Sequence, residues 1–166
     1  IEAALIARNI APGVFRKEFA FEKWRDFDSE LFSSIYEDDS KEKEFYHKIY
    51  GYDVDGRMVG CARRNVKSAM MTDYIEIECR DIKDFEEPEK RAIMVVNPPY
   101  GERLMDVKQA EDLYRNLGRI WRKLDDWSFY VLTSDLDFEK CFGKKADKRR
   151  KVYNGTLKCQ IYMYYK

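Results

Sequence analysis

The chain has almost no histidine: His47 stands alone among 166 residues. A single imidazole leaves one centre for a His-based triad, and no nucleophile lies beside it, so His47 is read as structural. Cysteine is scarce and scattered. Cys61, Cys79, Cys141 and Cys159 form no C-x-x-C pair, which argues against zinc and against a disulfide framework; no metal is expected, and the thiols are read as reduced and mostly buried. Net charge is lacking too. The 31 Lys plus Arg balance 31 Asp plus Glu, so a nucleic-acid partner has to be argued from local patches. No apolar stretch approaches the roughly 20 residues that span a bilayer, and no signal-peptide pattern opens the chain. No membrane partner is expected, and the cytoplasm is the default location.

What is present suits one domain by length, and a hydrophobic share of 45% can bury a sizeable core. Ile1 to Asn9 reads as a helix with Ile1, Ala4 and Leu5 on its apolar face, stopped by Ala11-Pro12-Gly13. Phe15 to Tyr46 is charged and rich in aromatics, which suggests short helices, with the charge run Glu37 to Glu44 as a solvated helix face. A regular alternation follows. Lys48 to Asp53 reads as a strand, Gly56 to Ala69 as a helix with Met58, Cys61, Ala62 and Val66 inward, and Tyr74 to Glu78 as a strand leading to Asp81. Ala92 to Val96 is the next strand, Lys108 to Leu124 an amphipathic helix with Leu113, Leu117, Ile120, Trp121 and Leu124 on one face, and Trp127 to Thr133 a strand. A short helix at Phe138 to Phe142 and a basic loop at Lys144 to Lys151 precede two extended runs in Val152 to Tyr165, hinged at Asn154-Gly155. Strands alternating with helices predict an α/β fold, a doubly wound parallel sheet with an antiparallel C-terminal hairpin.

One segment carries chemistry. The apolar run Ile93-Met94-Val95-Val96 reads as a buried strand, and Asn97-Pro98-Pro99-Tyr100 stops it, displaying polar atoms at a strand's carboxyl end, where open α/β sheets bind ligands. An exocyclic amine on a nucleobase is a poor nucleophile because its lone pair is delocalised into the ring. Two acceptors gripping its N–H bonds can aim the nitrogen at an electrophile: the Asn97 side-chain carbonyl and the Pro98 backbone carbonyl. Tyr100 offers a flat face for stacking, worth about 1–3 kcal/mol per base. The competing reading is an ordinary proline turn. Asp53 and Asp81 close or follow the two preceding strands, and loops after consecutive strands of a doubly wound sheet converge on one edge. Singly, each acid also fits a loop or a helix cap.

With these residues in place, the sequence resembles the class I S-adenosylmethionine-dependent methyltransferases that methylate amines, whose signature is Asn/Asp-Pro-Pro-Tyr. More narrowly, Ile1 to Ala7, Asn9 to Gly13, Phe19-Ala20-Phe21-Glu22-Lys23-Trp24, Gly51 to Asp55, Ala62 to Asn65 and Asn97 to Leu104 resemble the THUMP-associated RNA guanine-N2 methyltransferases, nearest to the bacterial enzymes acting on 23S ribosomal RNA. The resemblance implies a Rossmann-like sheet, S-adenosyl-L-methionine as cofactor and ribosomal RNA as partner. It implies that Asp53 holds the cofactor ribose, Val54 packs on its adenine, Asp81 holds the adenine amine and Ile82 adds a backbone contact. Asn97 and Pro98 would orient the guanine amine, Tyr100 would stack on the base, and Pro99 would line the substrate site.

The family's glycine-rich loop after its first strand has no counterpart here, and neither does the THUMP domain. The chain is therefore expected to be a partial catalytic domain, with an insertion at about 14–46, whose first strand lies upstream, and which in isolation binds little or no cofactor. The basic residues Lys144, Lys145, Lys148, Arg149, Arg150 and Lys151 could hold RNA phosphates or form a solvated loop. Arg63 and Arg64 are expected on an exposed helix face. Adenine N6 in DNA and a glutamine side chain present a similar conjugated amine to the same four residues, and a catalytically silent RNA-binding scaffold is the alternative from a different class.

Overall fold

The structure is a computed structural model and describes residues 1–99 and 107–166. The chain divides into two compact units, Ile1–Arg80 and Asp81–Lys166.

The first unit opens with α1 (Glu2–Arg8), which buries Ala4 and Leu5 and ends at Asn9 in the left-handed conformation, φ 56°. Asparagine tolerates that conformation because its short amide can bond locally. Here Nδ2 of Asn9 donates to the Lys41 carbonyl at 2.9 Å, the Lys43 N–H donates to the Arg8 carbonyl at 2.7 Å, and Arg8 pairs with Glu42 at 2.9 Å. Glu37 to Glu44 is therefore no helix. Asp38 bends the chain by accepting the Ser40 N–H at 3.0 Å, and the segment is stitched to the end of α1 instead.

α2 (Ser29–Tyr36) is capped by Asp28, whose Oδ1 accepts the Leu31 N–H at 2.9 Å. Strand β1 (Ile49–Asp53) runs through α3 (Gly56–Ser68) into β2 (Ile75–Cys79), and β1 and β2 pair in parallel from Ile49↔Ile75 to Asp53↔Cys79. The apolar face of α3 is Val59 and Val66, not the Met58 and Cys61 expected. Met58 is 52% exposed and Cys61 is exposed as well, because five apolar residues in this helix offer two overlapping stripes. The core here is small: Ala4, Leu5, Val66, Ala69, Met71 and Ile75.

The second unit contains β3 (Arg91–Val96), α4 (Val107–Lys123), β4 (Asp126–Thr133), α5 (Phe138–Phe142), β5 (Lys148–Asn154) and β6 (Leu157–Tyr164). The sheet order is β3-β4-β6-β5: β3 and β4 are parallel, and the β5–β6 hairpin runs antiparallel beside β4. Parallel pairs joined by helices, with a terminal antiparallel hairpin, are the α/β architecture the alternation predicts. Burial in β4 alternates strictly, placing Trp127, Phe129, Val131 and Thr133 against α4 and α5.

Gly118 of α4 is where that packing is tightest. A Cβ there would lie 2.0 Å from the Phe142 carbonyl oxygen, so only glycine lets α5 approach.

Two further expectations fail in this unit. The Ile93–Val96 run is not buried on both faces: β3 is an edge strand among the described residues, with Ile93 66% and Val95 77% exposed. Lys148 to Lys151 is no loop; it forms the first half of β5. Nor are the thiols mostly buried, since Cys61 and Cys79 are exposed, Cys141 is half-buried and Cys159 alone is buried. No helix among the described residues is long and apolar enough to cross a membrane.

Candidate active site

In the first unit, β1 delivers Asp53 to its carboxyl end. The Asp53 carbonyl accepts the Arg80 N–H at 3.0 Å, extending the β1–β2 ladder, and its Oδ1 accepts the Asp55 N–H at 2.8 Å. That Asx turn fixes the carboxylate while Oδ2 makes no hydrogen bond among the described residues. Asp55 next to it is fully engaged. It caps α3 through the Arg57 N–H at 2.8 Å and grips the Arg57 guanidinium at 2.8 and 3.2 Å. The Arg57 side chain holds the Asp55 carboxyl below its usual range. The two acids thus divide: Asp55 builds the helix start, and Asp53 presents a carboxylate to solvent. Between them Val54 is 66% exposed, and its carbonyl faces Cys79 Sγ at 3.4 Å.

In the second unit, Asp81 caps a 3-10 turn at Ile82–Asp84, its Oδ1 accepting the Lys83 N–H at 2.9 Å with Lys83 Nζ 3.9 Å from Oδ2. Ile82 is half-buried against the aromatic core. β3 ends its pairing at Val96↔Val131, and the chain passes directly into Asn97. Asn97 is exposed and its amide makes no hydrogen bond among the described residues, whereas Pro98 is buried and Pro99 half-buried. A buried proline anchors the turn, and an unengaged amide at a strand's carboxyl end is free to accept from a ligand. Tyr100 lies outside the described residues, as do the other motif residues through Leu104.

Arg149 and its neighbours take different parts. Arg149 forms a two-pronged pair with Glu139 of α5, with Nε to Oε1 at 3.0 Å and Nη2 to Oε2, and lies 5.5 Å from the Tyr162 ring centre. Lys148 and Arg150 are exposed, and neither pairs with a carboxylate among the described residues. Arg63 and Arg64 are both exposed, but Arg63 donates Nε to the Ile77 carbonyl at 2.9 Å and so borders β2. An open groove of about 410 Å³ runs beside Arg63, Val66, Ile75 and Ile77 and touches none of the predicted site residues. The sequence reading gave no role to Tyr153 or Lys158, which the register of β5 with β6 sets directly opposite each other. Four consecutive cations precede Val152-Tyr153, so the sequence carried no period-two signal there; the pairing with β6 sets the faces.

Residues 1–163 match the family described as UPF0020, RMKL-like, methyltransferase domain. The chain is 40% identical to YpsC of Bacillus subtilis, provisionally named an RNA methyltransferase, over 99% of its own length and 43% of that protein. It is 37% identical to the ribosomal RNA large subunit methyltransferase K/L of Shewanella amazonensis, over 99% of its own length and 24% of that protein. Among solved structures it superposes on SMU.472, described as a methyltransferase complexed with SAH, with a TM-score of 0.91 and 41% identity, covering 99% of this chain and 44% of that one. The chain thus spans less than half the length of each of these relatives.

Proposed function

We propose, from the premise that this chain belongs to the RMKL-like methyltransferase domain family, that it is part of an S-adenosylmethionine-dependent RNA methyltransferase. Its target is the exocyclic N2 amine of a guanine in large-subunit ribosomal RNA; the relatives' names support the RNA class, and the N2 amine follows from the resemblance carried by Asn97 to Tyr100. The observation that carries the reading is Asn97, an exposed amide with no partner among the described residues, set at the end of a parallel strand and backed by the buried Pro98.

Each unit, taken by itself, presents residues that suit one part of the cofactor. Asp53 keeps one carboxylate oxygen uncommitted among the described residues, as acceptance of ribose hydroxyls requires, and Val54 offers an exposed apolar side chain for adenine. Asp81 holds its own turn through one oxygen and has a second for the adenine amine, with the Ile82 backbone beside it. When bound, the cofactor supplies a methyl group on a sulfonium, a good leaving group. The chain's own part is positioning: Asn97 Oδ1 and the Pro98 carbonyl each accept one N–H of the guanine amine, so the nitrogen lone pair turns out of conjugation and toward the methyl carbon. Both acceptors are neutral. They orient the amine without removing its proton beforehand, and the cationic product nitrogen loses that proton to water. The Tyr100 ring stacks on the base. A guanine within a helix has to be unpaired or flipped to reach these groups.

Asn97→Ala in the complete protein should lower turnover on unmodified ribosomal RNA by about 100-fold or more, while S-adenosylmethionine binding, read by calorimetry, stays near wild type. A wild-type rate would remove Asn97 from the mechanism. Mass spectrometry of the digested RNA should place the methyl group on guanine N2; methyl on adenine N6 or on a protein glutamine would overturn the substrate assignment.

A further inference from the structure

The neutral chain hides a steep local imbalance. Residues 140–166 contain nine lysines and arginines against one acid, Asp147. That acid is already engaged by Lys144 at 3.1 Å and by the Tyr165 N–H at 2.8 Å. The β5–β6 ladder sorts the cations by face. Arg149, Lys151 and Tyr153 lie opposite Tyr162, Gln160 and Lys158 on one face, while Lys148 and Arg150 lie opposite Met163 and Ile161 on the other.

Arg149 is neutralised by Glu139 and packed on Tyr162, so it belongs to the scaffold. Lys148, Arg150, Lys151 and Lys158 are exposed and have no carboxylate partner among the described residues. Tyr153 stands among them 73% exposed, directly across from Lys158 and two residues from Lys151 on the same face. Directly opposed side chains in an antiparallel pair have Cβ atoms about 4.5–5.5 Å apart, so ring and ammonium are neighbours. Edge-strand lysines discourage strand-to-strand association, but that role calls for no exposed aromatic ring between them. Cations flanking a free ring are what an unpaired nucleic-acid strand takes: phosphates on the cations, a base on the ring.

We propose that the β5–β6 hairpin is the RNA-docking surface of the enzyme. Lys151 and Lys158 hold phosphates on either side of a base stacked on Tyr153, and Lys148 and Arg150 hold phosphates on the opposite flank of the edge strand. The assignment rests on the reading of the protein as an RNA methyltransferase.

The test uses the complete protein and a fluorescein-labelled, unstructured RNA oligonucleotide, with anisotropy followed across a salt series. Replacing Lys148, Arg150, Lys151 and Lys158 together by alanine should flatten the slope of log K against log salt by about 3, given roughly 0.7 per phosphate contact on single strands. Tyr153→Ala should weaken binding about tenfold with the slope unchanged, and Tyr153→Phe should restore it, since phenylalanine stacks but does not hydrogen-bond. In methylation assays the four-fold variant should raise the KM for RNA.

A wild-type slope and affinity in the four-fold variant, unfolding at the wild-type temperature, would overturn the docking surface and leave the proposed activity standing. Absence of RNA methylation by the wild-type protein, with the salt slope still dependent on these four residues, would overturn the activity and keep the hairpin as an RNA surface. Tighter binding of the matching DNA oligonucleotide through the same residues would overturn the assignment to RNA.

Discussion

The two units use their aromatic residues in opposite ways. In the second, eight of the eleven core residues are aromatic, and Phe138 alone stacks against Tyr114 at 4.9 Å, Tyr162 at 4.8 Å and Phe142 at 5.4 Å with no exposed surface. In the first, Phe19, Phe21, Phe27, Phe32 and Tyr36 form a ring cluster with centroids 5.2–6.2 Å apart, yet none is buried, and Trp24 at its margin is 68% exposed. The difference is one of layers. A four-stranded sheet with α4 and α5 on one face encloses a volume that rings can fill, whereas α2 and the 3-10 turn at Ala20–Lys23 bring their rings mainly against each other. Aromatic content alone therefore says little about where a core sits.

The sharpest way to break that comparison is to remove one side chain from each core. Phe138→Ala should cost about 3–5 kcal/mol, because a close-packed aromatic site cannot collapse around the cavity. Met71→Ala, 2% exposed in the smaller core, should cost about 2 kcal/mol, the low end for such truncations, since a two-stranded sheet with two helices can relax. Denaturant melts followed by Trp121 and Trp127 fluorescence for the second unit, and by Trp24 for the first, measure each. Equal costs would show that the first core is as rigid as the second.

The same contrast governs how legible the chain was. α5 emerged with its observed ends because Phe138, Cys141 and Phe142 lie on one helical face between Asp137 and a left-handed Gly143. β4 was found for a similar reason, its period-two burial being written into Trp127, Phe129 and Val131. β5 was missed in its first half because lysine and arginine carry little strand preference; pairing with β6 makes it a strand, and that is a tertiary fact. The Asp38-Ser40 turn was missed because a run of acids and lysines reads as helix unless the competing aspartate–backbone bond is weighed. Of the candidate site, the end of β3 at Asn97 was readable from two prolines. The division of labour between Asp53 and Asp55 was not, since it depends on which carboxylate the Arg57 guanidinium reaches.

Alkali should sharpen the difference between the units. Burial raises the phenol pKa of Tyr114, Tyr162 and Tyr164 in the second unit, and in the first that of Tyr52 is raised by burial and then by Glu78, against the opposing pull of Arg80. A folded-state pKa above the unfolded value near 10 means that the stabilisation is complete below about pH 10 and is lost as pH climbs toward the folded values. Three fully buried phenols in the second unit, beside a half-buried Tyr52 in the first, predict that the denaturant midpoint read by Trp121 and Trp127 falls more steeply between about pH 9 and pH 11 than that read by Trp24. Tyr164→Phe should reduce that slope while forfeiting its hydrogen bond to the Lys144 carbonyl. Parallel slopes for the two probes would mean that the buried phenols do not set the alkaline limit.

The smallest expected effect separates scaffold from surface within β5 itself. In each unit an arginine–glutamate pair ties a loop or strand to a helix: Arg8 with Glu42 in the first, Arg149 with Glu139 in the second. The Arg149 side chain is 47% exposed, so screening by solvent limits what its pair is worth to about 1 kcal/mol or less. Truncation to alanine also leaves Glu139 less abandoned than a buried acid would be, because its Oε1 still accepts the Ala146 N–H at 2.7 Å. Arg149→Ala should therefore lower the stability of the second unit slightly and leave the salt dependence of RNA binding at the wild-type slope, while Arg150→Ala, one residue further on and facing the other way, should do the reverse. If Arg149→Ala flattens the salt slope instead, the guanidinium leaves Glu139 to meet phosphate, and the ion pair is a latch on the docking surface rather than a strut beneath it.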